Sequence, residues 1–181
     1  MKSGAKKDFI LPIVVLTVIC LVMSTLLALA NQATAPIIAD NEKAVAEAAR
    51  AEVLPEAEGF EEVKSDSFPD SIVEVYKAVN DCGYVITILG DGYGGKDTLR
   101  VICGIDSDGL LVESKLLAHS ETAGLGSKVG EDDFKGQFVG KDSALEGINV
   151  ISGASISSNH YISAIRDAFA AYEIAEKEGK E

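Results

Sequence analysis

Thr98-Leu99-Arg100-Val101-Ile102-Cys103-Gly104-Ile105-Asp106-Ser107-Asp108-Gly109-Leu110 is the stretch on which the fold turns. Leu99, Val101, Cys103 and Ile105 alternate with Thr98, Arg100, Ile102 and Gly104, the period of two expected of a half-buried strand. Asp106-Ser107-Asp108-Gly109 has the chemistry of a tight turn, so residues 110–117 are expected to return as the antiparallel partner. Upstream, residues 72–79 and 84–89 show the same period and flank Asn80-Asp81-Cys82-Gly83, a loop of hairpin composition. Gly90-Asp91-Gly92-Tyr93-Gly94-Gly95 reads as a glycine-dense loop between the two hairpins.

Downstream the period changes. An irregular loop over 118–129 carries Gly124, Gly126 and a cluster of polar groups, and 133–138 reads as a short helix or turn. Ser152-Gly153-Ala154-Ser155 then opens into an amphipathic helix. From Asn159 the apolar residues Ile162, Ile165, Phe169 and Tyr172 follow at spacings of 3, 4 and 3. Ser157 or Ser158 is a natural N-cap. Strands followed by helix give an α+β fold, an antiparallel sheet packed with helices. Free backbone N–H groups, hydroxyls and the positive end of a helix dipole meet at the Ser152–Ser158 turn, a combination that suits a phosphate. An ordinary capped turn has the same composition, so the turn alone does not decide.

At the other end, Ile10 to Ala30 is free of charge and rich in Leu, Val and Ile. As a helix it reaches about 30 Å, the thickness of a bilayer core. Lys2, Lys6 and Lys7 precede it against Asp8, which by the positive-inside rule keeps the first residues in the cytoplasm and sends the rest across. A retained anchor is favoured over a cleaved signal peptide, whose apolar region is usually shorter. Residues 31–54 read as a helix interrupted by Pro36 and ended by Pro55, too thinly apolar for a core element. The expected organisation is a cytoplasmic N-terminus (1–9), a transmembrane helix (10–30), a helical stalk (31–70), an extracytoplasmic domain (71–175) and a charged tail (176–181).

The formal net charge is −13, and the part beyond the anchor is more acidic still. That excludes nucleic acid and anionic lipid surfaces as partners. A phosphate in such a domain needs a local device, backbone N–H groups or a single lysine. Cys82 and Cys103 either pair outside the membrane or are two buried free thiols, and neither has metal-type spacing. With two histidines in the chain, His119 and His160, a histidine-built metal or haem site is not expected.

His119-Ser120-Glu121-Thr122-Ala123-Gly124-Leu125-Gly126-Ser127-Lys128 resembles the His-x-Glu-Thr-Pro-Gly-Leu-Gly-x-Lys stretch of FMN-binding domains, with Ala123 in place of proline. Gly92-Tyr93-Gly94-Gly95 resembles the glycine loop of that family, and Phe134-Lys135-Gly136-Gln137-Phe138 its Phe-x-x-Gln-Phe element. Ser152-Gly153-Ala154-Ser155 is similar to its Ser-Gly-Ala-Thr flavinylation signature, with serine for threonine at the fourth place and Asn149 where the pattern carries Asp. Members include the G subunit of the Rnf electron-transport complex and the C subunit of the sodium-pumping NADH:quinone oxidoreductase. The anchor and residues 31–38 look like the former.

The resemblance implies FMN held covalently, as a phosphoester on the hydroxyl of Ser155. It implies that Glu121, Thr122, Gly124, Leu125, Gly126, Lys128, Ser152, Gly153, Ala154 and Ser157 surround the cofactor. In that setting Glu121 and Thr122 are expected to hydrogen-bond the flavin or its ribityl chain. The two loop glycines would let the ring approach the backbone, Leu125 would cover a ring face, and Lys128 would meet a phosphate or flavin oxygen. His119 is as well explained by a capping role as by a functional one, and Tyr93 either stacks near the cofactor or packs on the sheet. The implied function is a membrane-anchored electron carrier in an Rnf-type ion-translocating ferredoxin:NAD oxidoreductase, with other membrane subunits and a flavin transferase as partners. The C subunit of the quinone reductase is the near alternative, and an anchored scaffold without flavin the alternative of another class. No residue is expected to act as a catalyst, and no metal is expected.

Overall fold

The computed structural model describes residues 4–179, so Lys2 of the cytoplasmic flank and the last two residues of the charged tail lie outside it. The chain divides into two units, Met1–Ala44 and Val45–Glu181. The first is helical throughout its described part and belongs to α1 (Gly4–Val53). It contains the apolar run, long and apolar enough to cross a membrane, with none of its most apolar window buried in protein. Thr17, Thr25 and Thr34 donate their hydroxyls to the carbonyls of Ile13, Leu21 and Ala30 four residues back. Folding a hydroxyl onto the helix in this way satisfies it where a bilayer offers no water. Pro36 does not interrupt the helix as expected. It lies inside α1, which continues past it at the loss of one backbone hydrogen bond.

The second unit is built on a five-stranded antiparallel meander: β1 (Phe60–Val63), β2 (Ile72–Ala78), β3 (Gly83–Gly92), β4 (Gly95–Asp106) and β5 (Leu111–His119), paired in chain order. Three short elements follow, a 3-10 turn over Gly126–Gly130, α2 (Asp132–Lys135) and a 3-10 turn over Gly136–Phe138. The 24-residue α3 (Ser155–Glu178) closes the chain. The fold is the α+β class read from the strand and helix periods.

Tyr84, Ile86 and Ile88 of β3 and Leu99, Val101, Cys103 and Ile105 of β4 point to one face, where Ile162, Ile165, Phe169 and Tyr172 of α3 complete the main core. Phe134, Phe138 and Tyr161 form an aromatic cluster in it, with centroids 5.5 to 5.6 Å apart and Phe134 edge-on to the other two rings. Tyr161 is fully buried and donates its hydroxyl to Ser114 Oγ at 3.0 Å. Burial pushes the Cys103 thiol up to about 12, so it is inert packing, and it and Cys82 are both free.

β4 departs from the half-buried strand expected of it. Its other face is also covered, by the end of α1 and the residue after it: Ala49, Val53 and Leu54 pack on Ala78, Val85 and Ile102 in a second core. Arg50 anchors this end, 3.2 Å from Glu74 and 3.7 Å above the Tyr76 ring. Gly104 makes the fit possible, because a Cβ there would lie 2.2 Å from the Val53 carbonyl oxygen. Gly104→Ala is therefore expected to lower stability by about 1–3 kcal/mol, read as a lower urea midpoint with an unchanged slope.

Within residues 31–70, Val45 onward falls in the second unit, and Phe60–Val63 is an edge strand of its sheet. An acidic, short strand such as Phe60-Glu61-Glu62-Val63 carries too little period-two signal to stand out before its partner β2 is known.

Candidate functional site

The glycine-dense loop is tighter than its composition indicates. β3 runs to Gly92 and β4 starts at Gly95, leaving Tyr93-Gly94 as a two-residue turn. β5 ends at His119, and the chain then passes through Glu121-Thr122 into a 3-10 turn over Gly126–Gly130. The Thr122 carbonyl accepts from the N–H groups of Leu125 and Ser127, and Ser127 Oγ accepts from Gly124 N–H at 2.9 Å. His119 serves this turn locally: its Nδ1 accepts from the Glu121 N–H at 3.2 Å.

Glu121 ties three segments together and is 8% exposed. Its Oε1 accepts from the Tyr93 N–H at 2.8 Å, and its Oε2 accepts from the Ser157 hydroxyl at 2.5 Å. The carboxylate lies between two glycines. A Cβ on Gly92 would sit 2.0 Å from Oε1, and one on Gly126 would sit 2.0 Å from Oε2. Gly126 is thus needed for close approach, whereas Gly124 has the positive φ of a turn glycine at 75°.

The helix begins earlier than the serine caps predict. α3 starts at Ser155 with Ala154 as N-cap, and no side chain caps its first turn. Ser157 and Ser158 are committed elsewhere. Ser157 donates to Glu121, while Ser158 donates to the Ala154 carbonyl and accepts from the Ile151 N–H. Both are buried, and Ser155 is exposed. The first N–H groups of a long helix without a side-chain cap are free to meet an anion.

These parts enclose a cavity of about 380 Å³ lined by Tyr93, Glu121, Thr122, Leu125, Gly126 and residues 153–157. The volume lies in the range of small-molecule sites. Leu125, Tyr93 and Ile156 are 52%, 70% and 51% exposed, an apolar rim around a polar floor. Among the described lining residues none is cationic, so backbone N–H groups and hydroxyls are the donors. That donor set, with an exposed hydroxyl at the helix start and flat apolar groups at the mouth, fits a phosphate joined to an aromatic ring system.

Of the residues expected around a cofactor, Glu121, Thr122, Leu125, Gly126, Gly153, Ala154, Ser155 and Ser157 line this cavity. Gly124 and Ser152 lie on the adjoining turns. Lys128 lines a neighbouring cavity of about 340 Å³ with Glu131, Gln137 and residues 149–151. The phosphate device offered by this pocket is therefore the helix end. Ile156 escaped the sequence reading, and its signal is an apolar residue off the Ile162–Tyr172 stripe.

Gln137 explains the Phe-x-x-Gln-Phe element. Its amide grips the backbone of Asn149, accepting from the N–H at 2.9 Å and donating to the carbonyl at 3.3 Å. Phe134 and Phe138, buried on either side, fix that grip to the core. The turn carrying Ser155 is thus held three residues ahead of Ser152.

The FMN-binding domain family matches residues 92–170, from the end of β3 through most of α3. The chain is 31% identical to the G subunit of the ion-translocating oxidoreductase complex of Methanosarcina acetivorans, over 90% of this chain and 93% of that one. It is 32% identical to the G subunit of the Na(+)-translocating ferredoxin:NAD(+) oxidoreductase complex of Acetobacterium woodii, over 83% and 78%. It is 26% identical to the G subunit of the proton-translocating ferredoxin:NAD(+) oxidoreductase complex of Clostridium ljungdahlii, over 80% and 74%.

Proposed function

We propose a function from one premise: this chain belongs to the G-subunit family of ion-translocating oxidoreductase complexes and carries its FMN-binding domain. The protein is an electron-transfer subunit that carries FMN, with a helix near its N-terminus long and apolar enough to span a membrane. Bound FMN supplies the redox chemistry, taking and passing on one or two electrons, and the protein supplies binding and orientation.

Within that frame the FMN is joined through its phosphate to Ser155 Oγ. The phosphate rests on the free N–H groups at the start of α3, and Gly153 and Ala154 leave the backbone accessible there. Thr122 and Glu121 form the polar wall, and Leu125, Tyr93 and Ile156 shield the ring. Gly124, Gly126, Ser152 and Ser157 shape the surrounding turns, and Lys128 lies next to them. The first residues stay in the cytoplasm, the domain lies across the membrane, other subunits conduct the ion, and a flavin transferase makes the ester.

The observation that carries this reading is the exposed Ser155 hydroxyl at an uncapped helix start inside an apolar-rimmed cavity. Intact-protein mass spectrometry after co-expression with a flavin transferase tests it. The expected product is heavier by one FMN less one water and fluoresces in a denaturing gel. An unmodified mass under the same conditions sinks the covalent reading and favours a scaffold without flavin.

A further inference from the structure

Glu121 has more to do than shape a wall. Its carboxylate is engaged at both oxygens, and both partners are neutral groups, a backbone N–H and a hydroxyl. At 8% exposure little water reaches it to screen its charge. Gly92 and Gly126, lacking side chains, leave room for the carboxylate between them, and its two hydrogen bonds hold it there. Lys128, the cation of the same loop, lines the adjoining cavity instead.

We propose that Glu121 is a positioning residue that holds a fixed negative charge in the wall of the flavin pocket and thereby keeps the bound flavin hard to reduce. The inference deepens the FMN reading and rests on it. Each electron delivered to the pocket adds negative charge beside one held by two hydrogen bonds, and with the carboxylate itself largely buried that repulsion is weakly screened. The same carboxylate fixes the geometry, because it joins the Tyr93 turn to the first turn of α3 across the cavity.

The test is a spectroelectrochemical titration of the flavin-loaded full chain, with the electrode as the source of electrons. Glu121→Gln keeps an oxygen for the Tyr93 N–H and an amide that can donate to Ser157, but removes the charge. Its midpoint potential is expected to rise, with one flavin per chain as in the parent. Glu121→Asp retains the charge and is expected to stay close to the parent potential. Glu61→Gln, on the edge strand β1, removes one charge elsewhere and is expected to shift nothing. An unchanged potential in Glu121→Gln, or an equal shift in Glu121→Asp, overturns the proposal. A parent protein that takes up no flavin overturns the FMN reading itself, and this inference with it.

Discussion

Ser155→Ala is expected to yield a folded protein that carries no flavin. The loss should be complete, because an ester needs an oxygen and the other serines of the first turn of α3 are committed. Ser157 is 2% exposed and bonded to Glu121; Ser158 is fully buried and bonded on both sides. Neither can reach an attaching enzyme without unmaking the first turn of α3. Stability should move by no more than about 0.5 kcal/mol, since the side chain is exposed and no hydrogen bond of the fold depends on it. Mass spectrometry and in-gel fluorescence read the label, and far-ultraviolet circular dichroism reads the fold. Label retained in full would exclude Ser155 as acceptor and turn attention to Ser152, exposed on the same turn.

The second large effect is on the aromatic cluster. Phe138 is fully buried, with its ring centroid 5.5 Å from those of Phe134 and Tyr161. Phe138→Ala is expected to cost about 3–5 kcal/mol, the loss of a buried ring plus the cavity it leaves. Against a total of about 5–15 kcal/mol for a domain, that is a large share. Urea unfolding of the detergent-solubilised chain, followed by near-ultraviolet circular dichroism, should show the midpoint falling steeply with a similar slope. The damage should also reach the site. Phe138 follows Gln137, whose amide grips Asn149, so loosening it frees the segment leading to Ser155. Slower flavin attachment at raised temperature is the expected sign. A stability within about 1 kcal/mol of the parent would show that the core closes over the gap.

Relatives named for proton and for sodium translocation match this chain about equally well. That parity has a physical sense. The cavity at the start of α3 has the size of a small-molecule site, and the described residues of this chain contain one helix long and apolar enough to cross a membrane; in the proposed reading the ion path lies in other subunits. Nothing in the Glu121 wall or the Ser155 turn needs to know which ion moves.

The sequence by itself determined what local period and composition can encode. Alternation over 99–105 and the Asp106–Gly109 turn specified an antiparallel hairpin, the 3.6 period after Asn159 specified the last helix, and the uncharged run from Ile10 specified a helix long and apolar enough to cross a membrane. These signals are local, because side-chain direction follows backbone geometry within a few residues. The Ser-Gly-Ala-Ser turn likewise announced a helix start. What the tertiary structure alone decided involves groups distant in the chain. Ser157 looked like a cap and is instead bonded to Glu121, 36 residues earlier. The outer face of β4 looked solvated and is covered by α1, reached through Gly104. Lys128, read as a partner for a phosphate or a flavin oxygen, lines the neighbouring cavity. In each case a side chain's partner depends on which segments the sheet brings together, and no window of sequence contains both members of such a pair.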